Sequence, residues 1–219
     1  MTTKVDDASI VDLIERCDKV GIDVPLGWPT SFVDAVARHS VDGSWPAEYR
    51  HEDNEHLRLR ATDVWVRRDL AMPPPLSVSA DRIAIPAMRA AALLSRMQPR
   101  VPLEGTGVVV EVYPAAALRR WGLDPRGYKH KENRDRRRAL LEALLGATPW
   151  LAARTEHREL CVESDDVFDS LVAALAARAS AVGLVETIPL EHRATAAREG
   201  WIAVPLLDSL THLAARRGG

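Results

Sequence analysis

Glu111 interrupts an apolar run, Gly-Val-Val-Val-Glu-Val-Tyr-Pro over residues 107–114, whose valine and tyrosine density is that of a strand covered on both faces. An ionised carboxylate there is costly unless a cation pairs with it or a catalytic task employs it. Two further acidic points can join it. Asp23 lies near the end of a shorter apolar run, Lys-Val-Gly-Ile-Asp-Val over residues 19–24, and Ser164-Asp-Asp-Val-Phe-Asp opens the clearest helix in the chain. Residues three and four apart on a helix lie side by side, so Asp165 and Asp166 each neighbour Asp169. Acids in a first turn gain from the helix dipole, which accounts for Asp165 and Asp166 without any further role. Asp169 lies deeper, gains less, and is the stronger candidate for a metal ligand.

Hard cations such as Mg²⁺ and Mn²⁺ take oxygen ligands, and two of them held by shared carboxylates activate water and stabilise a leaving oxygen in phosphodiester cleavage. Asp23 at a strand end, Glu111 on a central strand and Asp169 on a helix meet that need if the helix packs over the sheet. Arg60, Lys129, Arg134 and Arg138 are then candidates for phosphate contact. Residues 128–138 are a concentrated basic run that leads directly into the apolar stripe Leu140, Leu141, Leu144 and Leu145; a solvated helix face paired with Glu132 and Asp135 is the plainer account of the run, and the better one for Arg136 and Arg137. Other chemistries lack their patterns: there is no HExxH pair, P-loop, GxGxxG or GxSxG elbow. Cys161, between Leu160 and Val162, reads as a buried thiol.

These side chains need elements to hold them. Apolar spacing predicts helices over 7–17, 30–39, 85–97, 115–121 and 164–181, with strands at 19–24, 107–113 and 199–205. Ser164 is the expected cap of the longest helix, whose Val167, Leu171 and Leu175 share a face, and Phe32, Val33 and Val36 the expected inner side of the second. Residues 57–63 begin with strand-like alternation and lead into a short helix capped at Thr62. Residues 42–56 read as a surface loop or lid, Pro73-Pro-Pro75 as a stiff break, and 207–216 as a helical tail. Strand 107–113 followed by helix 115–121, ended by Gly122, is a βα unit of the kind that builds α/β sheets.

Composition sets the outer limits. The 219 residues are 47% hydrophobic and 27% charged, which suits a single domain with a sizeable core. A net charge of -2 argues against a protein that coats polyanions, though not against a local basic patch. Two separated cysteines favour a reducing compartment, hence a cytoplasmic location. No segment approaches the ~18 uninterrupted apolar residues of a membrane span, and the first residues have no signal core.

Six ordered motifs carry a resemblance: 21–29 (Gly-Ile-Asp-Val-Pro-Leu-Gly-Trp-Pro), 59–63 (Leu-Arg-Ala-Thr-Asp), 110–114 (Val-Glu-Val-Tyr-Pro), 128–129 (Tyr-Lys), 165–169 (Asp-Asp-Val-Phe-Asp) and 199–205 (Glu-Gly-Trp-Ile-Ala-Val-Pro). With them the chain resembles the ribonuclease-H-like nucleases grouped as domain of unknown function 429. The resemblance implies a ribonuclease-H-like α/β fold, a central mixed sheet flanked by helices, and a metal-dependent nuclease. Asp23, Glu111 and Asp169 are its implied acidic centre, with Asp166 adjacent as a fourth metal ligand, Mg²⁺ or Mn²⁺ as the cofactor, and nucleic acid as the partner. Arg60, Thr62, Asp63 and Lys129 are implied near the cleft, Arg60 and Lys129 assisting catalysis. Members of the family usually start with a strand carrying Gly-Ile-Asp and a hairpin, which have no counterpart ahead of the helix near Asp7. An exposed sheet edge and a weakened metal site are therefore expected. The contrasting expectation is a catalytically impaired or non-catalytic module binding nucleic acid or protein, its carboxylates paired with Arg60 and Lys129 as a structural network.

Overall fold

The computed structural model describes residues 5–45, 54–73, 75–129 and 132–214. The expected lid therefore lies partly outside the described residues, as do Pro74, His130, Lys131 and the end of the expected tail. In chain order the elements are α1 (Asp7–Glu15), β1 (Val20–Ile22), α2 (Thr30–Asp42), α3 (Glu55–Arg58), α4 (Ala61–Arg68), α5 (Ala84–Leu94), β2 (Val109–Glu111), α6 (Pro114–Arg120), α7 (Arg134–Ala147), α8 (Thr155–Glu163), α9 (Asp165–Ala181) and α10 (Arg193–Glu199). The class is mixed α/β, with helix far in excess of strand. Contacts sort the chain into two compact units: Met1–Cys17, Val24–Glu111 and Ile188–Ile202 form the first, and Asp18–Asp23, Val112–Thr187 and Ala203–Gly219 the second.

In the first unit α1 is capped by Asp6, whose carboxylate accepts the Ser9 N–H at 2.8 Å, and Arg89 on α5 ties back to Asp7. Residues 57–63 depart from the expected alternating strand. Burial does alternate at Leu57, Arg58 and Leu59, but Leu57 and Arg58 close α3, and the Asp63 carboxylate accepts the Arg60 N–H at 2.9 Å and starts α4 at once, leaving no room for a strand. On α2 the inward residue is Ala35, while Val33 and Val36 are exposed, contrary to the expected face. The helix has no side-chain cap of its own, because Pro29 precedes it. Residues 199–205 form no strand either; Ile202 makes a single parallel bridge to Glu111.

In the second unit α9 begins where its sequence says, the Ser164 hydroxyl accepting the Val167 N–H. Phe168, Asp169, Val172, Ala173, Leu175, Ala176, Ala177 and Ala179 are its buried residues, a face set by alanines as much as by the larger side chains expected to mark it. The small residues have a purpose. A Cβ on Gly21 of β1 would lie 2.4 Å from the Ala173 carbonyl oxygen, so helix and strand approach at backbone distance only because neither carries bulk there. Val112, just past β2, donates its N–H to Ile22 O. The apolar stripe Leu140, Leu141, Leu144 and Leu145 of α7 is buried as its spacing predicts, and α7 and α9 both pack on α8, a helix that the apolar periodicity did not announce. The expected tail is a short 3₁₀ turn, Ser209–His212.

Candidate functional site

Asp169 sits one turn inside α9, where Ser164 fixes the start of the helix and Phe168 anchors it in the core. Its carboxylate is held at both oxygens. The buried Tyr128 hydroxyl donates to Oδ1 at 2.6 Å, and Lys129 Nζ stands 2.8 Å from Oδ2. Tyr128 is itself wedged edge-on against Phe168, with ring centroids 5.4 Å apart. Burial pushes the Asp169 carboxyl above the ordinary aspartate range, against the pull of Lys129 and Tyr128. Burial and the neighbouring carboxylate push the Tyr128 phenol far up, so it stays protonated and acts as a donor. Burial works against the Lys129 charge, but Asp169 more than offsets it and the ammonium is retained.

Two more carboxylates act on this pair. Asp23, exposed just beyond β1, stabilises the Lys129 ammonium, and Asp165 raises the Asp169 carboxyl further. Of the two first-turn acids it is Asp165 that acts on Asp169; Asp166 is exposed on the same turn. Lys129 is 53% exposed while the Asp169 side chain is 10% exposed, so the cation stands on the solvent side of the carboxylate.

Arg137 secures the arrangement from behind. Expected on a solvated face, it is instead buried, donating to the carbonyls of Tyr128 at 2.7 Å and Val162 at 2.8 Å. Those two carbonyls belong to the segment that carries Tyr128 and Lys129 and to the last turn of α8, immediately before the start of α9. A guanidinium has enough donors to serve several carbonyls at once, which makes it a suitable brace for irregular backbone.

In the first unit Glu111 ends β2 and faces Arg60, the residue just before α4. Arg60 Nη2 lies 2.6 Å from Glu111 Oε1 and Nη1 lies 2.7 Å from Oε2, a two-pronged pair that is 1% and 3% exposed. The same guanidinium reaches Asp63 through Nε and Nη2, and Leu26 N–H donates to Glu111 Oε2 at 2.9 Å. Burial pushes the Glu111 carboxyl up against the pull of Arg60. Burial disfavours the Arg60 charge, but Glu111 and Asp63 outweigh it and hold the guanidinium protonated. Thr62 is also built in, its hydroxyl oxygen accepting the Ile202 N–H.

Glu199, the last residue of α10, completes this network. Its Oε1 accepts from the Thr30 N–H and hydroxyl, both at 2.8 Å, and its Oε2 accepts the Ala61 N–H at 2.8 Å. One buried carboxylate therefore caps α2 and α4 together, supplying what Pro29 and Arg60 cannot.

Of the nominated residues, Arg60 meets Glu111 in the first unit, and Lys129 meets Asp169 under the influence of Asp23 in the second. Among the described residues, no three His, Cys, Asp or Glu side chains are grouped as a metal site. Tyr128, Arg137 and Glu199 were missed as members of these clusters. The adjacent Tyr-Lys pair was a signal for the first, Glu199 opens the motif at 199–205, and nothing local in the sequence marks Arg137. No helix among the described residues is long and apolar enough to cross a membrane. Searches of curated proteins and of solved structures found no match. The family model described as protein of unknown function (DUF429) matches residues 2–194, and the chain belongs to that family.

Proposed function

We propose that the protein is a metal-dependent phosphodiester hydrolase on a ribonuclease-H-like scaffold, with Asp169, Asp23 and Lys129 as its working residues. The observation that carries this reading is the Asp169 carboxylate, clamped by Tyr128 at one oxygen and facing an exposed ammonium at the other. Family membership and the βα step from β2 to α6 support the scaffold assignment.

The donor chemistry suits Mg²⁺ or Mn²⁺ in part. Such ions are commonly held by one or two carboxylates plus water and substrate phosphate oxygens, which two aspartates can provide without a three-carboxylate group. Asp169 Oδ2 and Asp23 would hold the ion, with Asp166 further out on the same turn of α9. When bound, it would supply an activated water and neutralise charge on the phosphate. Glu111 fits a ligand role poorly, because it is 3% exposed and its oxygens are held by the equally buried Arg60 and the Leu26 N–H, whereas the partner at Asp169 Oδ2 is a lysine that is 53% exposed and can yield its place to an ion; we assign Glu111 and Arg60 to the scaffold. The chain's own contribution lies in three acts. Tyr128 fixes the Asp169 orientation, Lys129 places a solvent-exposed positive charge beside the carboxylate for a phosphate oxygen, and Arg137 holds the segment that carries both.

A second reading, a non-catalytic module binding nucleic acid or protein, is favoured by the pairing of both Glu111 and Asp169 with cations of the chain itself. Calorimetric titration with Mn²⁺, run beside cleavage assays on single-stranded and duplex DNA and RNA, separates the two. The hydrolase reading expects a Mn²⁺ site that Asp169→Asn removes, and cleavage that disappears with it. Absence of Mn²⁺ binding in the native protein, or binding unchanged in Asp169→Asn, favours the second reading.

A further inference from the structure

The first unit contains a cavity of about 350 Å³ that neither cluster uses. Leu26, Val33, Leu94, Val101 and Leu103 give it apolar walls, and Trp28 adds an aromatic one. The exposed Val33, anomalous for an apolar residue on a packed helix, has a role as part of this wall. Its volume is at the small end of the ~300–1,000 Å³ usual for ligand pockets. Arg100 and Arg198 stand at its edge and also line an adjoining hollow of about 410 Å³. Both guanidiniums are exposed, and among the described residues neither makes an ion pair. Among the described residues the one acid lining the hollow is Glu104, whose Oε1 accepts the Thr106 hydroxyl at 2.8 Å. Two cations to one anion leave the rim positive.

The placement of Arg198 is fixed by backbone packing. A Cβ on Gly27 would lie 2.7 Å from Glu199 O and 3.0 Å from Arg198 O, so the loop forming one wall lies directly on the end of α10. Ser95 adds little polarity to the wall, since its hydroxyl donates back to Ala92 O.

We propose that this cavity binds an amphipathic organic anion, with its apolar body among Leu26, Trp28 and Leu94 and a carboxylate or phosphate monoester on Arg100 and Arg198. An apolar body alone would leave the two exposed guanidiniums at the rim without a counter-ion. An inorganic anion alone would leave the apolar walls in water. A ligand carrying both parts satisfies both, and the guanidinium fork matches either anion. The site shares no residue with the proposed hydrolase set and does not depend on that reading.

The test uses the full chain and the fluorescent probe anilinonaphthalene sulfonate, displaced by octanoate, octyl phosphate or octanol. The expected result is displacement by at least one of the two anions about tenfold more tightly than by octanol. The difference between octanoate and octyl phosphate identifies the preferred head group. The double variant Arg100→Gln/Arg198→Gln should lose the anion preference while octanol is unaffected, and Val33→Trp, which fills the cavity from an exposed position, should abolish displaceable probe binding. Ala91→Trp on the facing helix serves as a second filling variant, with circular dichroism melting to verify that each variant folds. Probe that does not bind, equal displacement by octanol and the anions, an anion preference retained in the arginine double variant, or binding unchanged in both filled variants would each overturn the proposal.

Discussion

Arg60→Met removes the one cation that the buried Glu111 and Asp63 share. Its guanidinium makes four contacts of 2.6 to 3.1 Å to those two carboxylates, in a setting where the arginine is 1% exposed. Summing charge-assisted hydrogen bonds at ~1.5–3 kcal/mol each would overstate the loss, because the contacts are not independent. The better guide is removal of one partner from a buried pair, about 3–5 kcal/mol, since two charges are left in the interior without compensation. With a urea dependence of about 1–3 kcal/mol/M, the midpoint should fall by on the order of 2 M at neutral pH. Tryptophan fluorescence reads the transition, Trp65 and Trp201 lying 5.2 Å apart in the same unit.

The pH dependence has a definite sign. A carboxyl whose native pKa lies above its unfolded value binds protons better when folded; its contribution is full below the ordinary glutamate range and is lost as pH rises through the native value. Glu111 is already raised by burial, and loss of Arg60 raises it further. The penalty of Arg60→Met should therefore shrink as pH falls from neutrality towards the glutamate range. Adding Glu111→Gln to Arg60→Met should recover about 1–2 kcal/mol at neutral pH by removing one stranded charge. A cost under about 1 kcal/mol, a pH-independent penalty, or strict additivity of the two substitutions would refute the reasoning.

Glu199→Gln should cost about 1–2 kcal/mol in urea unfolding, because an amide can accept from only one of the two helix starts and offers a donor to the other. Tyr128→Phe should leave the fold intact and move the Asp169 carboxyl further up, since it removes a bond that favours the ionised form. Carbon-detected NMR titration of the aspartate carboxyls measures that shift, and a downward move would contradict the geometry. Gly21→Ala should destabilise by about 1–3 kcal/mol by forcing α9 away from β1, as read from thermal unfolding.

The parts of the fold legible in the sequence were those decided by neighbours a few residues away. Ser164 capping α9, the leucine stripe of α7 and the βα step after Glu111 all follow from short-range spacing. The sequence also singled out Glu111, Arg60, Lys129 and Asp169 as residues that needed partners. It did not tell which partner each takes. Arg137 looked solvated because its run is basic, and carbonyls of Tyr128, nine positions back, and Val162, 25 positions on, make its burial tolerable. Leu57 to Arg60 read as the start of a strand because leucine and arginine alternate there, while α3 takes up Leu57 and Arg58, Arg60 is buried beside Leu59, and the turn into α4 depends on a side-chain contact that alternation cannot encode. Val33 and Val36 looked like core because hydrophobic residues usually are, and helix α2 turns Ala35 inward instead.

The Glu199 carboxylate has a kinetic consequence. Thr30 and Ala61 rest on the two oxygens of a single side chain, so neither helix start can fray without loosening what restrains the other. The first-turn amides of α2 and α4 should therefore exchange with solvent deuterium as one cooperative opening, despite the thirty positions between them, with α10 as its third participant. A latch of this kind couples distant stretches of chain through one acid, so that strengthening either helix alone cannot slow the shared opening beyond what Glu199 itself permits.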